Sequence, residues 1–366
     1  MGLNRRFAEA RARLAKEAQG GYGYLEDIMP FIKKGTVVPI ISNSFRMEQI
    51  FRDPAVEADA DHGYLSIYEQ LTQVWADEIG YPAEDGYNLA RVAKFFITEQ
   101  MEDVEVSRAK YLRFLSDFLL HITADDISYQ DVVESYQKRE VPFSELVRVF
   151  DYPRFPPGIE DPLRLLARLP LKIYITTSYY DFMERALEAE DKKPRTHVIF
   201  WEGGKLNSKP EHLPDPHYEP TYKEPAVYHL FGLEDYPQTL ALTEDDYLDF
   251  LISVVKDTNT MDPVVPLRLR EALAESRLLV LGYNAGDLDF RILFQFIRKF
   301  RSAELSPRGM LIQPKPGAKQ SENREKSMDY LSHYFVKNQF EVEWTDPEKF
   351  IHYLWGEWDK YRKGQS

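Results

Sequence analysis

The chain has 366 residues, 43% hydrophobic and 29% charged, enough to bury one large core or two ordinary ones. Sixty acidic residues against 46 basic leave a formal charge of −14, which argues against a broad phosphate-neutralising surface and makes nucleic acid an unlikely default partner. With no cysteine, disulfides, thiolate nucleophiles, iron–sulfur clusters and Cys-built zinc sites are excluded.

In chain order, the N-terminal stretch MGLNRRFAEARARLAKEAQ begins with charge and contains no apolar run of signal-peptide length. No later segment approaches the ~20 apolar residues of a membrane span, so a cytoplasmic location without membrane association is expected. Arg6 breaks the myristoylation-like motif that Met1-Gly2 opens. Arg5, Arg6, Arg11, Arg13 and Lys16 form a basic stretch, read as a solvated helix face or, alternatively, as a polyanion contact.

Seven short runs rich in β-branched and aromatic residues predict strands at 36–41, 171–176, 197–201, 226–231, 277–283, 310–313 and 340–344. They are almost continuously apolar, the pattern of strands covered on both faces. Helix-period segments at 181–190, 244–255, 267–275, 287–300 and 327–336 alternate with them. The alternation implies an α/β fold, a Rossmann-like doubly wound parallel sheet.

About 130 residues separate the first two strands, and they break this rhythm. Segments 64–79, 88–101, 106–121 and 129–138 carry apolar residues at three- and four-residue spacing, with turn-like YPAEDG and ITADD between them. A helical insertion at 62–163 within one domain, 1–366, is therefore expected. The Pro-rich stretch 155–162 returns the chain to the sheet, and 207–225 reads as an irregular surface loop. At the far end, 346–361 predicts a helix with Phe350, Tyr353, Leu354, Trp358 and Tyr361 near one stripe. That stripe either docks on the chain's own sheet or serves an oligomeric or partner surface.

Ligands of open parallel sheets bind beyond the carboxyl ends of the strands. Four such ends are unusual: SNSFR at 42–46, TTSYYD at 176–181, HLFG at 229–232 and GYNAGDLDF at 282–290. In this order they resemble the sirtuin-like family, particularly its bacterial branch of NAD-consuming antiphage-defence proteins. The resemblance spans 36–60 and 165–345, and includes LALTEDDYLDFL after HLFG and LLVLGYNAGDLDFRIL near the fifth strand.

The resemblance implies a nucleotide site for NAD or ADP-ribose. Ser42 and Ser44, flanking Asn43, stand where the family's phosphate loop has glycines, and Arg46 follows; small polar residues still offer N–H groups and hydroxyls to a pyrophosphate. Thr177, Tyr179, Gly282, Tyr283, Asn284 and Asp287 complete the expected cofactor-binding set, with Asn284 replacing a serine near the adenosine ribose. The family's asparagine falls on Ser178, and its catalytic histidine falls on Phe231. Strand alternation should place Val227, His229 and Phe231 on one face, so His229 is either a substitute catalytic group or a hydrogen-bonded core histidine. Asp181 and Ser178 are the remaining catalytic candidates, where polar groups could steady a positive ribosyl centre. Asp181, Asp287 and Asp289 equally suit helix-start charges.

Glu244, Asp245 and Asp246 after Thr243 fit a helix start better than a catalytic cluster. His62, His121, His212, His217, His333 and His352 have no comparable context, and no metal site is expected. Without four cysteines the chain cannot build the zinc module of protein-deacylating sirtuins. The leading expectation is an NAD glycohydrolase releasing nicotinamide and ADP-ribose, assembled as a homo-oligomer, in some members with a HerA-type hexameric ATPase. The alternative is a nucleotide-binding or scaffold subunit of a defence complex that does not cleave. A nuclease-partner role has the acidic balance against it.

Overall fold

The computed structural model describes residues 23–52, 66–101, 103–124, 126–136, 141–199, 201–202, 205–206, 218–257, 265–302, 309–315 and 321–364. The basic stretch up to Lys16, together with His62, His212 and His217, lies outside them.

Seven parallel strands form one sheet. They are β1 (Val37–Ile41), β2 (Ile173–Thr176), β3 (Arg195–Val198), β6 (Ala226–His229), β7 (Arg277–Leu281), β8 (Gly309–Gln313) and β9 (Phe340–Trp344), in the order β3-β6-β2-β1-β7-β8-β9. The continuous apolar runs of the sequence become strands buried at every position in β1, β6, β7 and β8. A two-stranded antiparallel ribbon, β4 (Trp201–Glu202) with β5 (Lys205–Leu206), follows the edge strand β3. The predicted strand at 197–201 is thus divided between the sheet edge and this ribbon.

Chain direction reverses at the centre of the sheet. From β1 the chain moves to β2 and outward to β3 and β6; from β7 it moves the other way, to β8 and β9. Right-handed crossovers then put the two sets of connecting helices on opposite faces. On one face lie α8 (Pro162–Arg168), α9 (Phe182–Glu188) and the C-terminal α14 (Pro347–Gly364). On the other lie α10 (Glu244–Asp257), α11 (Leu267–Glu275), α12 (Leu288–Phe300) and α13 (Ser321–Lys337). Aromatic contacts bind the second set together: Phe250 meets Phe296 at 5.6 Å, and Phe294 meets Phe335 at 5.1 Å. On α14, Phe350, Ile351, Leu354 and Trp358 are buried, while Tyr353 stays exposed.

Between β1 and β2 the chain is helical. After α1 (Met29–Lys34) and β1 come α2 (Asn43–Phe51), α3 (Ile67–Glu78), α4 (Leu89–Gln100), α5 (Val104–Thr123), α6 (Gln130–Tyr136) and α7 (Phe143–Val149). Trp75 of α3 anchors their core, with Phe96, Tyr111 and Phe114 around it at 4.9–6.0 Å. Ion pairs fasten these helices to the start of α10. Buried Arg108 reaches Asp246 at 2.7 Å and the Gln238 carbonyl at 2.7 Å, and Arg91 and Lys94 meet Glu244 and Asp245. Asp246 also accepts from the Leu242 and Thr243 amides, while the Thr243 hydroxyl accepts from Asp246 N, a reciprocal helix cap. No described helix is long and apolar enough to cross a membrane.

Candidate functional site

β1 and β7 are neighbours whose outgoing connections run in opposite directions, so the crevice at their carboxyl ends is the switch point of the sheet. Ser42 leaves β1 as the N-cap of α2, its hydroxyl accepting from Phe45 N at 3.0 Å. Gly282 leaves β7 with φ of 78°, and a Cβ there would lie 2.4 Å from Phe45 Cβ and 2.7 Å from Ser42 Oγ. The turn needs glycine on both counts. The Ser42 and Ser44 hydroxyls, 3.0 Å apart, sit on the Gly282 carbonyl oxygen at 2.6 and 3.0 Å. The two turns are thereby joined directly.

Tyr283 crosses the end of β1. Its hydroxyl lies 2.8 Å from Thr177 Oγ1 and 3.3 Å from the Ile41 carbonyl, which also accepts from Thr177 N. Asn43 reaches in the opposite direction. Its amide donates to the Tyr68 hydroxyl at 3.1 Å, and its Oδ1 accepts from Tyr179 N at 3.5 Å. Tyr179 in turn donates to the Ala241 carbonyl at 2.7 Å. Asn43, Ser44, Thr177, Tyr179, Gly282 and Tyr283 are therefore gathered at one place, together with Tyr68 from the inserted helices.

Two expected binding residues are engaged elsewhere. Arg46 is paired bidentately with Asp161 at 2.9 and 2.7 Å and bonded to Gln49. Asp161 caps α8, so this guanidinium ties α2 to α8. Asn284 is exposed, and its Oδ1 accepts from Gly286 N at 3.1 Å within its own turn.

The charge of the crevice is negative. Asp287 is the N-cap residue of α12 but makes no side-chain cap bond. Burial, with Asp289 and Glu69 nearby, raises its carboxyl to about 7. Burial also raises Asp289 to about 6, against the amide of Phe290, which donates to it at 2.6 Å. The charge of Asp289 reaches the phenols of Tyr68, Tyr179, Tyr247 and Tyr283, all raised chiefly by burial. The backbone N–H groups at the start of α2 are left as the electropositive feature for a phosphate.

His229 is fully buried on the α9 face. Nδ1 lies 3.0 Å from the Ser178 carbonyl, and Nε2 lies 2.9 Å from Glu184 Oε1. Both partners are acceptors, so both ring nitrogens donate and the ring is an imidazolium. Although burial alone would lower its pKa, the Glu184 carboxylate raises it. Glu184 is held down by the same ion pair against its own burial and also accepts from Thr196 at 2.8 Å. A cation with both nitrogens occupied has no lone pair to act as a base.

The expectation that His229 and Phe231 share a face is corrected. β6 ends at His229, and beyond it the strand alternation no longer holds. The Phe231 ring packs on Tyr247 and Phe250 of α10, at 5.1 and 5.3 Å, on the opposite face from α9. His229 therefore acts on the site at most through Ser178, whose carbonyl it holds. Ser178 is itself buried, its amide bonded to Thr176 Oγ1. Asp181 opens α9 and pairs with Arg185 at 2.8 Å; burial raises its carboxyl, and Glu184 and Asp235 add to the shift.

Sequence reasoning missed Glu184 and Tyr68. Glu184 did leave a signal, a carboxylate one helical turn from Leu187 on the inward stripe of α9. Tyr68 left none, since its contact with Asn43 is long-range. Among the described residues no group of three or more His, Cys, Asp or Glu could hold a metal.

A parallel sheet with crossover helices on both faces and a crevice at its switch point defines a Rossmann-like α/β fold, in which ligands bind at that crevice. Within that class, residues 172–339 match the SIR2-like domain, which supports a sirtuin-like affiliation. The matched stretch contains the Ser178, Phe231 and Gly282 segments and leaves out Ser42–Arg46 and the inserted helices. No curated protein matches the chain significantly.

Proposed function

We propose that this chain is a sirtuin-like subunit that holds NAD or ADP-ribose at the β1/β7 crevice and does not cleave it by a histidine-dependent route. One observation carries this reading. Phe231, where the sequence resemblance puts the family's histidine, packs against Tyr247 and Phe250, while His229 is a buried, ion-paired imidazolium. The α2 N-terminus would face phosphate, and Asn43, Tyr68, Thr177 and Tyr283 would meet ribose hydroxyls. A homo-oligomer in a bacterial antiphage complex, with a HerA-type ATPase as partner, extends the proposal on the strength of the sequence resemblance.

A second reading keeps the glycohydrolase. Asp289 brings to the tyrosine-lined crevice a carboxylate that forms no salt bridge among the described residues, where negative charge would stabilise a ribosyl cation as the nicotinamide bond breaks.

The test combines calorimetric NAD binding with nicotinamide release, for the chain alone and with a HerA-type ATPase. Expected results are NAD binding by the wild type, its loss in Asn43→Trp, and no nicotinamide release. Unchanged affinity in folded Asn43→Trp refutes the pocket. Turnover by wild type that disappears in Asp289→Asn selects the second reading.

A further inference from the structure

Apart from the crevice, the molecule holds a cavity of about 520 Å³ between the inserted helices and the segment that follows β6. This size lies within the ordinary range of small-molecule sites. Leu112 and Leu120 of α5, with Val141, Phe143 and Leu146 at the start of α7, give it an apolar chamber. Glu234 stands in its wall.

Among the described residues, no cation forms a salt bridge with Glu234. At this wall it accepts a long hydrogen bond from Ser144 N at 3.5 Å and a second from the Ser144 hydroxyl. Burial raises it to about 7, and neighbouring Asp181 and Asp235 push the same way, against the Ser144 bonds. Arg185, the nearest guanidinium on α9, is spent on Asp181 and on the carbonyl and hydroxyl of Ser144. Across the cavity on α5, Lys110 bonds Gln100 and Arg113 pairs with Asp117. Tyr180, buried beside Glu234, supplies no charge. An apolar chamber that ends on a carboxylate with no salt bridge among the described residues is complementary to one ligand chemistry.

We propose that this cavity binds an organic cation, a molecule whose apolar body fills the Leu112–Phe143 chamber and whose ammonium or amidinium end pairs with Glu234. The assignment does not depend on the nucleotide reading. It does touch the same turn, because Glu234 N donates to the Tyr179 carbonyl at 2.7 Å. An occupant that fixes Glu234 therefore also steadies the segment carrying Ser178 and Asp181.

The test uses the full chain with two probes of equal shape, 4-phenylbutylamine and 4-phenylbutyrate, by calorimetry and ligand-observed NMR at about pH 8. The amine is expected to bind and the carboxylate to give no signal. Ala109→Trp, an exposed position on the cavity lining, should abolish amine binding. Glu234→Gln should weaken it about tenfold or more, the loss of one charge-assisted bond. Lowering the pH to about 5.5 protonates Glu234 and should weaken the wild type by the same factor while leaving Glu234→Gln unchanged. Bound amine should slow hydrogen exchange at the Glu234 amide. No amine binding at millimolar concentration, equal binding of both probes, or amine affinity indifferent to both substitutions overturns the proposal.

Discussion

Removing either member of the His229–Glu184 pair should destabilise the protein severely, and removing both should cost no more than removing one. The pair is 2.9 Å apart, with side chains 0% and 7% exposed, so neither charge can turn to water when its partner is lost. Truncating one member of such a pair costs roughly 3–5 kcal/mol, mostly the penalty of an uncompensated buried charge. At about 2 °C per kcal/mol for a chain of this size, His229→Leu and Glu184→Leu should each lower Tm by roughly 6–10 °C. The double variant leaves only the Ser178 carbonyl and Thr196 hydroxyl without their partners. It should fall no further than the worse single variant, a coupling of roughly 3 kcal/mol. The pH dependence has a defined sign. His229, raised above 6.5, contributes stability that is complete below pH 6.5 and lost as pH rises through its folded value. Glu184, lowered below 4.5, contributes stability present above pH 4.5 and lost as pH falls through its folded value. The wild-type advantage over the double variant should therefore be greatest between pH 4.5 and 6.5. Calorimetric unfolding of the four proteins across pH 4–9 measures it. Additivity of the single losses to within about 0.5 kcal/mol would refute the ion-pair argument.

Two further outcomes follow from the crevice. Gly282→Ala forces a positive-φ turn and a 2.4 Å contact with Phe45 Cβ, so denaturant titration should show a loss of roughly 2–5 kcal/mol. A loss under 1 kcal/mol would mean that the two turns are not packed as described. Asp289, raised to about 6, contributes stability that is complete below pH 3.8 and lost as pH rises through 6. Asp289→Asn should thus gain on the wild type between pH 4 and 7, and a pH-independent difference between them counts against a buried carboxylate.

The sheet was legible because its strands are apolar on both faces, and the pattern survives whatever tertiary contacts form. The elements that escaped have other chemistry. α2 buries Asn43, Arg46 and Gln49 together with Phe45, Met47 and Ile50, so polar residues interrupt the apolar period of its inner face. α8 was hidden in a Pro-rich stretch, although Asp161 followed by Pro162 is a helix-start signal. Gathering the Ser42 and Gly282 turns at one crevice required only strand order. The orientation of Phe231 required knowing where β6 stops, and two residues of strand decided which face its ring took. The pairing of Arg46 with Asp161 was not legible, because Asp161 lies far along the chain, beyond the reach of local spacing.

β1 and β2 are hydrogen-bonded neighbours in the middle of the sheet, yet residues 42–172 lie between them. An ordinary strand–helix–strand unit closes about 30 residues, so this closure is roughly two doublings longer and costs about 1.2 kcal/mol more in chain entropy. The larger effect is on time, since distant pairings form only after nearer contacts have drawn the ends together. The helices around Trp75 make those nearer contacts, and Arg108 then reaches Asp246 beyond β6. By sequence separation the centre of this sheet is expected to be its slowest pairing, and the crevice at that join to form with it.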